Sequence, residues 1–150
     1  MRRVVKPAGL ILSAGESRRM GRAKALLPFH GETFLDGLIS RFAAFCDPVI
    51  VVLGHQPDSI LAGIQRAKQA EFVINPRYAM GQLTSMQRGL LEVPSDTHGV
   101  LFTLVDHPNV AESTLPQLLA QSNSLLAIPV YGGSKGHPIF FRYELITEFL

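Results

Sequence analysis

Cysteine occurs once, at Cys46, which excludes an intrachain disulfide and any cysteine-rich zinc site. No uninterrupted apolar run approaches about 18 residues, the length a membrane-crossing helix needs. The histidines (His30, His55, His98, His107 and His137) contain no pair four apart of the zinc-protease type. No Ser-His-Asp or Cys-His arrangement suggests nucleophilic catalysis. Both common phosphate fingerprints are missing too. Five residues, not four, separate Gly15 from Gly21, and Lys24 is followed by Ala25, so there is no P-loop. There is no Gly-x-Gly-x-x-Gly either. A net charge of +2 is too small for a nucleic-acid surface. Arg2-Arg3 precede apolar residues, but Lys6, Pro7 and Gly9 interrupt anything resembling a signal h-region, so a cytoplasmic location is expected.

The composition is that of a folded soluble chain, with 47% hydrophobic residues against 17% charged. Its 150 residues, with no internal repeat, linker or low-complexity tract, predict a single domain over 1–150. Apolar runs at Val4–Leu12, Val49–Leu53, Phe72–Ile74, Val100–Val105, Leu125–Val130 and Ile139–Phe141 read as strands. Helical periodicity occupies Phe34–Phe45, Ser59–Lys68, Thr84–Leu91 and Leu115–Gln121. Thr33 with Asp36 reads as a capping box, and Asp58 and Ser113 or Thr114 as further N-caps. Strands this apolar, alternating with helices, predict an α/β fold: a Rossmann-like three-layer α/β/α arrangement on a mostly parallel sheet. Tyr143–Leu150 starts an amphipathic helix with no stop signal before the chain ends. Cys46 reads as a small buried hydrophobe, and His30, His55 and His98 as surface residues.

The most informative stretch is Leu10 to Lys24. An apolar strand runs into a loop holding Gly15 and Gly21 and four cations within seven positions, Arg18, Arg19, Arg22 and Lys24. Glycines let backbone amides approach a ligand closely, and consecutive loop amides form a concave anion site. A heavily charged anion such as a nucleoside triphosphate fits; an Arg-rich loop that is merely solvated is the competing reading.

Three further stretches fall at strand ends, where ligands of such sheets sit. Val100–Asp106 is a buried strand ending in a carboxylate, followed by His107 and Pro108. A carboxylate beside a polyphosphate calls for an intervening cation, usually magnesium held by one or two carboxylates and the phosphates; a plain turn former is the alternative. Asn75-Pro76 leads to Gly81 and a Thr84-Ser85 pair opening a helix, whose free amides attract anions or need only be capped. Gly132–Pro138 is a flexible loop with one cation, either a lip over an acceptor or a β-turn.

Together these motifs resemble one family, the molybdenum-cofactor nucleotidyltransferases with a MobA-like NTP transferase domain. Its opening, Leu-(Ala/Ser)-(Ala/Gly)-Gly-x-Ser-x-Arg-Met-Gly-x-x-Lys, is matched by Leu12 to Lys24. Leu26-Leu27-Pro28, Gly31, Asn75-Pro76, Gly81, Ser85, Asp106-His107-Pro108 and Gly136-His137-Pro138 extend the likeness over nearly the whole chain. The resemblance implies a nucleotide-diphospho-sugar transferase-like fold and transfer of a nucleotidyl group from an NTP to the terminal phosphate of molybdopterin, releasing pyrophosphate. It implies nucleotide binding by Leu12, Ser13, Ala14, Gly15, Arg18, Lys24, Asn75, Gly81 and Ser85. Lys24, Arg18 and Asp106 would carry catalysis, with Mg2+ on Asp106, and His107, Gly136 and His137 would line the acceptor site. Ala14 occupies the position that is Ala in cytidylyltransferase-like members and Gly in guanylyltransferase-like ones, which favours CTP over GTP. A molybdoenzyme or its chaperone is the implied protein partner; nucleic acid and membrane are not.

One departure stands out. Relatives usually run past this point to an acidic Asp-(Ile/Val)-Asp-Thr-Pro-like segment that helps hold the metal, so the C-terminal part is expected to be shortened. A nucleotide- or cofactor-binding maturation factor without turnover is therefore one alternative. A sugar-phosphate or polyol-phosphate nucleotidyltransferase is another, although such relatives usually place Pro before the motif lysine and Ala23 stands here. No general base is expected, because an acceptor phosphate monoester, with its second pKa near about 6, is largely ionised at neutral pH.

Overall fold

The computed structural model describes residues 6–16, 23–110 and 113–150. In chain order the elements are β1 (Ala8–Ser13), β2 (Pro28–Phe29), β3 (Glu32–Thr33), α1 (Phe34–Ala43), β4 (Val49–Leu53), α2 (Pro57–Gly63), β5 (Glu71–Ile74), α3 (Gln82–Leu90), β6 (Gly99–Leu104), α4 (Thr114–Ala120), β7 (Leu126–Ala127), β8 (Val130–Tyr131), β9 (Ser134–Lys135), β10 (Ile139–Arg142) and α5 (Ile146–Phe149). Single 3-10 turns stand at Lys24–Leu26, Ala67–Gln69, Tyr78–Met80 and Tyr143–Leu145.

Six strands form one sheet in the order β5-β4-β1-β6-β10-β7. The β5, β4, β1 and β6 strands are parallel, while β10 runs antiparallel to both β6 and β7. The two faces of the sheet are separately buried. Ile11, Val51, Leu101 and Phe140 pack with α1, α2 and α4 through Leu38, Phe42, Ile60 and Leu115. Leu10, Leu12, Val52, Phe102 and Phe141 pack with α3 and α5 through Met86, Leu90 and Ile146. Burial on both faces is what strands of continuous Val, Ile and Leu require, and it gives the expected three-layer α/β/α architecture.

Several boundaries differ from the sequence expectation. Asp36 forms no reciprocal capping box. Its backbone N–H donates to Thr33 Oγ1 at 3.0 Å, but its buried carboxylate accepts from the backbone N–H groups of Gln65 and Arg66 and from the Thr33 hydroxyl. The side chain thus holds the amides just after α2, ahead of the turn Ala67–Gln69, rather than those of its own helix. The helix expected over Ser59–Lys68 is interrupted, because Ile64 adopts an extended backbone and only the turn Ala67–Gln69 follows. Asp58 lies inside the first turn of α2, with Pro57 opening the helix after Gln56. Ser113 stands at the N-cap of α4 but makes no side-chain cap bond. Ile128-Pro129 splits the Leu125–Val130 run into two short strands, since proline removes the ladder donor. The start of the Val4–Leu12 run lies outside the described residues through Val5.

The topology locates the ligand crevice. From β1 the chain adds β4 and β5 on one side, then returns to place β6 on the other. The switch point therefore lies between the carboxyl ends of β1 and β6, where ligands of open α/β sheets bind.

Candidate functional site

At that switch point a cleft of about 190 Å³ opens, lined by Leu12 to Glu16, by Ala23 to Ala25, and by Leu104 to Asp106. It thus gathers Leu12, Ser13, Ala14, Gly15, Lys24, Ser85 and Asp106 from the sequence-derived set. Arg18, with Arg19 and Arg22, lies outside the described residues.

Backbone bonds set the shape of the β1 exit. The Val105 N–H donates to the Leu12 carbonyl at 2.9 Å and the His55 N–H to the Ala14 carbonyl at 3.0 Å, which pins the loop between its two neighbouring strands. Close approach at Gly54 permits this: a Cβ there would stand 2.7 Å from the Ala14 carbonyl and 2.6 Å from Tyr78 Cβ. Gly15 is the opposite case. Among the described residues, a Cβ on it would meet nothing within 4 Å, and its backbone is not left-handed. Among the described residues neither packing nor conformation calls for glycine there, and the missing side chain leaves the backbone open to the cleft.

Lys24 opens the 3-10 turn Lys24–Leu26, anchored by the buried Ala25 and by Leu26 packing on the core. Its Nζ lies 3.7 Å from Asp106 Oδ2, and both side chains are 44% exposed. Asp106 follows the end of β6, and the His107 N–H donates back to the Leu104 carbonyl at 3.1 Å, turning the chain there. Arg41, from α1, steadies the same segment by donating from Nη1 to the Pro108 carbonyl at 3.1 Å.

Asn75 is buried and lies behind the cleft rather than lining it. Its Nδ2 donates to Thr84 Oγ1 at 2.9 Å and to Ser85 Oγ at 2.8 Å, and its Oδ1 accepts the Arg77 N–H at 3.0 Å. Both amide hydrogens are therefore committed. The residue works as a clasp that fixes α3 on the end of β5. Gly81, in a left-handed backbone with φ of 119°, is the N-cap, so α3 starts at Gln82 and not at Thr84. Thr84 instead donates its hydroxyl to the Gly81 carbonyl at 2.7 Å.

A polar rim that the sequence reading did not anticipate borders the cleft. Tyr78 donates to Glu16 Oε1 at 3.4 Å, and its hydroxyl lies 3.1 Å from His55 Nδ1. His55, expected on the surface, is half-buried in this rim, whereas His30 and His98 are exposed as expected. Tyr78 and Gln82 line the cleft directly. No local pattern marks either, because the turn Tyr78–Met80 that carries them forward is set by the Asn75 clasp.

A second groove of about 430 Å³ adjoins the first and shares Asp106 with it. His107, Gly136 and His137 all line this groove. The two imidazoles are stacked, with ring centroids 4.6 Å apart and planes at 25°. His107 Nε2 lies 3.6 Å from Asp106 Oδ1. Burial, and then the neighbouring His107, pull the His137 pKa below the ordinary imidazole value, against an opposing pull from Asp106. Both of these downward pulls favour the uncharged form of the ring.

The donor set limits what cation could sit here. Among the described residues no three His, Cys, Asp or Glu side chains converge as a metal cage. A single exposed carboxylate at the mouth of the cleft could supply one ligand to a divalent cation that keeps several of its waters. Asp106 fits that role.

Comparison with known proteins shows the family and the fold. The family described as MobA-like NTP transferase domain matches residues 9–150. A molybdenum cofactor cytidylyltransferase of Escherichia coli (strain K12) is 30% identical over 143 residues, covering 93% of this chain and 71% of that protein. A probable molybdenum cofactor guanylyltransferase of Bacillus cereus (strain G9842) is 26% identical, covering 91% and 68%. The crystal structure of Rv0371c from Mycobacterium tuberculosis H37Rv aligns with a TM-score of 0.86 at 26% identity, over 99% of this chain and 77% of that one. The manganese complex of Rv0371c aligns at 0.79 and 25%, over 96% and 74%.

Proposed function

The chain belongs to the MobA-like NTP transferase domain family, and from that premise we propose that it transfers CMP from CTP to the terminal phosphate of molybdopterin, releasing pyrophosphate. The observation that carries this reading is the joining of two grooves at Asp106, one bordered by Lys24 and the β1 backbone, the other by His107, Gly136 and His137. Two substrates bound in adjoining grooves meet at their common wall, which is what group transfer between them needs.

In this reading the backbone of Leu12 to Gly15 holds the nucleotide, with Ser85 at the α3 side. Lys24 offsets charge on the triphosphate, and Arg18 joins it from the segment outside the described residues. Asn75 and Gly81 act one step back by fixing the start of α3. Asp106 would hold a divalent cation, magnesium in our reading; bound there, such a cation supplies charge stabilisation at the phosphates. The manganese complex of a relative supports a divalent requirement. His107, Gly136 and His137 form the acceptor side. The acceptor phosphate is already largely dianionic at neutral pH, so no residue need remove a proton. The chain contributes in-line positioning and electrostatics.

Ala14 favours CTP over GTP. A cytoplasmic site of action and delivery of product to a molybdoenzyme or its chaperone accompany the proposal. The test is pyrophosphate release from CTP or GTP with molybdopterin, with magnesium, with manganese and with chelator. Release with CTP that requires molybdopterin and a divalent ion is expected. Nucleotide binding detected by thermal shift, with no pyrophosphate under any of these conditions, would replace the proposal with a binding role.

A further inference from the structure

The turn that carries Asp106 is moored at few points. Val105 and Val110 are buried at its two ends, while Asp106, His107 and Asn109 are exposed between them. The His107 N–H bonds back to β6, and Pro108 has no N–H to offer. Among the described residues one hydrogen bond links Asp106–Val110 to another element: Arg41 Nη1 donates to the Pro108 carbonyl at 3.1 Å.

What places Arg41 there is laid out along α1. The residue sits in the last turn, where a cation also suits the helix dipole. One turn earlier stands Gly37, buried inside the helix, a position where glycine lowers helix stability. Its backbone is not left-handed, so conformation does not call for glycine. Space does. A Cβ on Gly37 would lie 3.3 Å from Arg41 Nη1 and 3.5 Å from Glu32 Oε2. The guanidinium and the carboxylate thus flank a residue with no side chain. Glu32 Oε1 is meanwhile taken by Arg66 Nε and Nη2, at 3.2 and 3.1 Å. Arg66 is fixed in turn, because the buried Asp36 accepts its backbone N–H at 2.9 Å. Glu32 therefore has Arg66 on one oxygen and Arg41 across Gly37 from the other.

We propose that Arg41 is a positioning residue for Asp106: by holding the Pro108 carbonyl it keeps the turn closed and the carboxylate on the Lys24 side of the crevice. Glu32 and Gly37 serve it by keeping the guanidinium directed at that carbonyl. The assignment rests on the nucleotidyltransferase reading, in which Asp106 holds a divalent cation beside the nucleotide phosphates. Arg41 itself touches neither substrate.

The experiment compares wild type, Arg41→Met and Arg41→Lys, each with Asp106 intact and as Asp106→Asn. Two quantities are read: the gain in CTP affinity when manganese replaces chelator, and hydrogen exchange at the His107 amide without metal or nucleotide. Arg41→Met should cut the manganese-dependent gain about fivefold or more, with CTP affinity in chelator unchanged. It should also speed His107 exchange about tenfold. Only one guanidinium bond reaches Pro108, so Arg41→Lys, which keeps a charge and a donor, should stay within about threefold of wild type in both. In the Asp106→Asn background the same Met substitution should alter the gain by no more than about twofold, while still speeding exchange. Unchanged His107 exchange in Arg41→Met, equal loss of CTP affinity with and without manganese, or an undiminished effect beside Asp106→Asn would each overturn the positioning role. A wild type that gains no affinity from manganese would instead sink the divalent part of the nucleotidyltransferase reading, and His107 exchange would then decide the hold of Arg41 on the turn.

Discussion

The Lys24 ammonium lies 3.7 Å from the Asp106 carboxylate, although the two residues are more than eighty positions apart in the chain. Each belongs to a different side of the β1/β6 crevice, and each is 44% exposed. An ion pair this exposed adds little to stability, and in the proposed reading its worth lies in what it does to a ligand. Lys24→Met and Asp106→Asn should each leave the unfolding free energy within about 1 kcal/mol of wild type. Turnover should fall by about 10²–10³-fold in each. Denaturant melts beside pyrophosphate-release rates check this, and near-normal turnover by Lys24→Met would remove the electrostatic role.

Gly15 and Gly54 should respond in opposite ways to alanine. At Gly15 the added methyl meets no described neighbour, so Gly15→Ala should keep or slightly raise stability, by up to about 1 kcal/mol. Its nucleotide affinity should fall because the methyl stands where a ligand approaches. At Gly54 the methyl would press on the Ala14 carbonyl and Tyr78, so stability should drop by about 1–3 kcal/mol. Paired thermal melts with and without CTP distinguish the two; similar behaviour at both positions would argue that Gly15 is a packing residue.

The Asn75 clasp predicts a stability defect with a functional shadow. Asn75→Ala removes three hydrogen bonds and strands the buried Ser85 hydroxyl, which should cost about 2 kcal/mol or more. Asn75→Asp restores the acceptor for Arg77 but not the two donors. It should therefore remain destabilised. Recovery of wild-type stability by Asp would show that only the Arg77 contact matters.

Burial pushes the Cys46 thiol up to about 12, against a weaker opposing pull from Lys6. The folded state therefore resists forming the thiolate, and the sign follows from linkage. The stabilisation is complete below the unfolded thiol pKa, near about 8.5, and is lost as pH rises toward the folded value. Stability should decline between pH 8.5 and 10 by up to about 1.4 kcal/mol per unit from this group, and the decline should be shallower in Cys46→Ala. In native protein at pH 8 iodoacetamide should label Cys46 only upon unfolding.

Much of the fold was legible because its signals are local. Continuous Val, Ile and Leu runs announced the buried parallel strands, and the carboxylate at the end of one of them announced Asp106. Where expectation and structure part, a long-range contact intervenes. Asp36 reads as a helix cap until the Gln65 and Arg66 backbone is brought to it. Asn75 reads as a ligand group until Thr84 and Ser85 are seen to occupy its amide. Tyr78, Gln82 and Tyr131 carry no motif at all; only the folded loops turn them toward the grooves.

The reversed direction of β10 has a consequence for how such a protein can change. Pairing Ile139 with Phe102 brings Gly136 and His137, which precede β10, to the same sheet edge as Asp106, which follows β6. A strand of the opposite polarity would deliver them to the far edge. In the proposed reading the donor half is thus encoded before residue 107 and the acceptor half largely after it, joined at one register. A graft of 125–142 from a homologue onto this chain could retune the recipient without rewriting the nucleotide's share of the molecule: a modular seam, created by one turned strand.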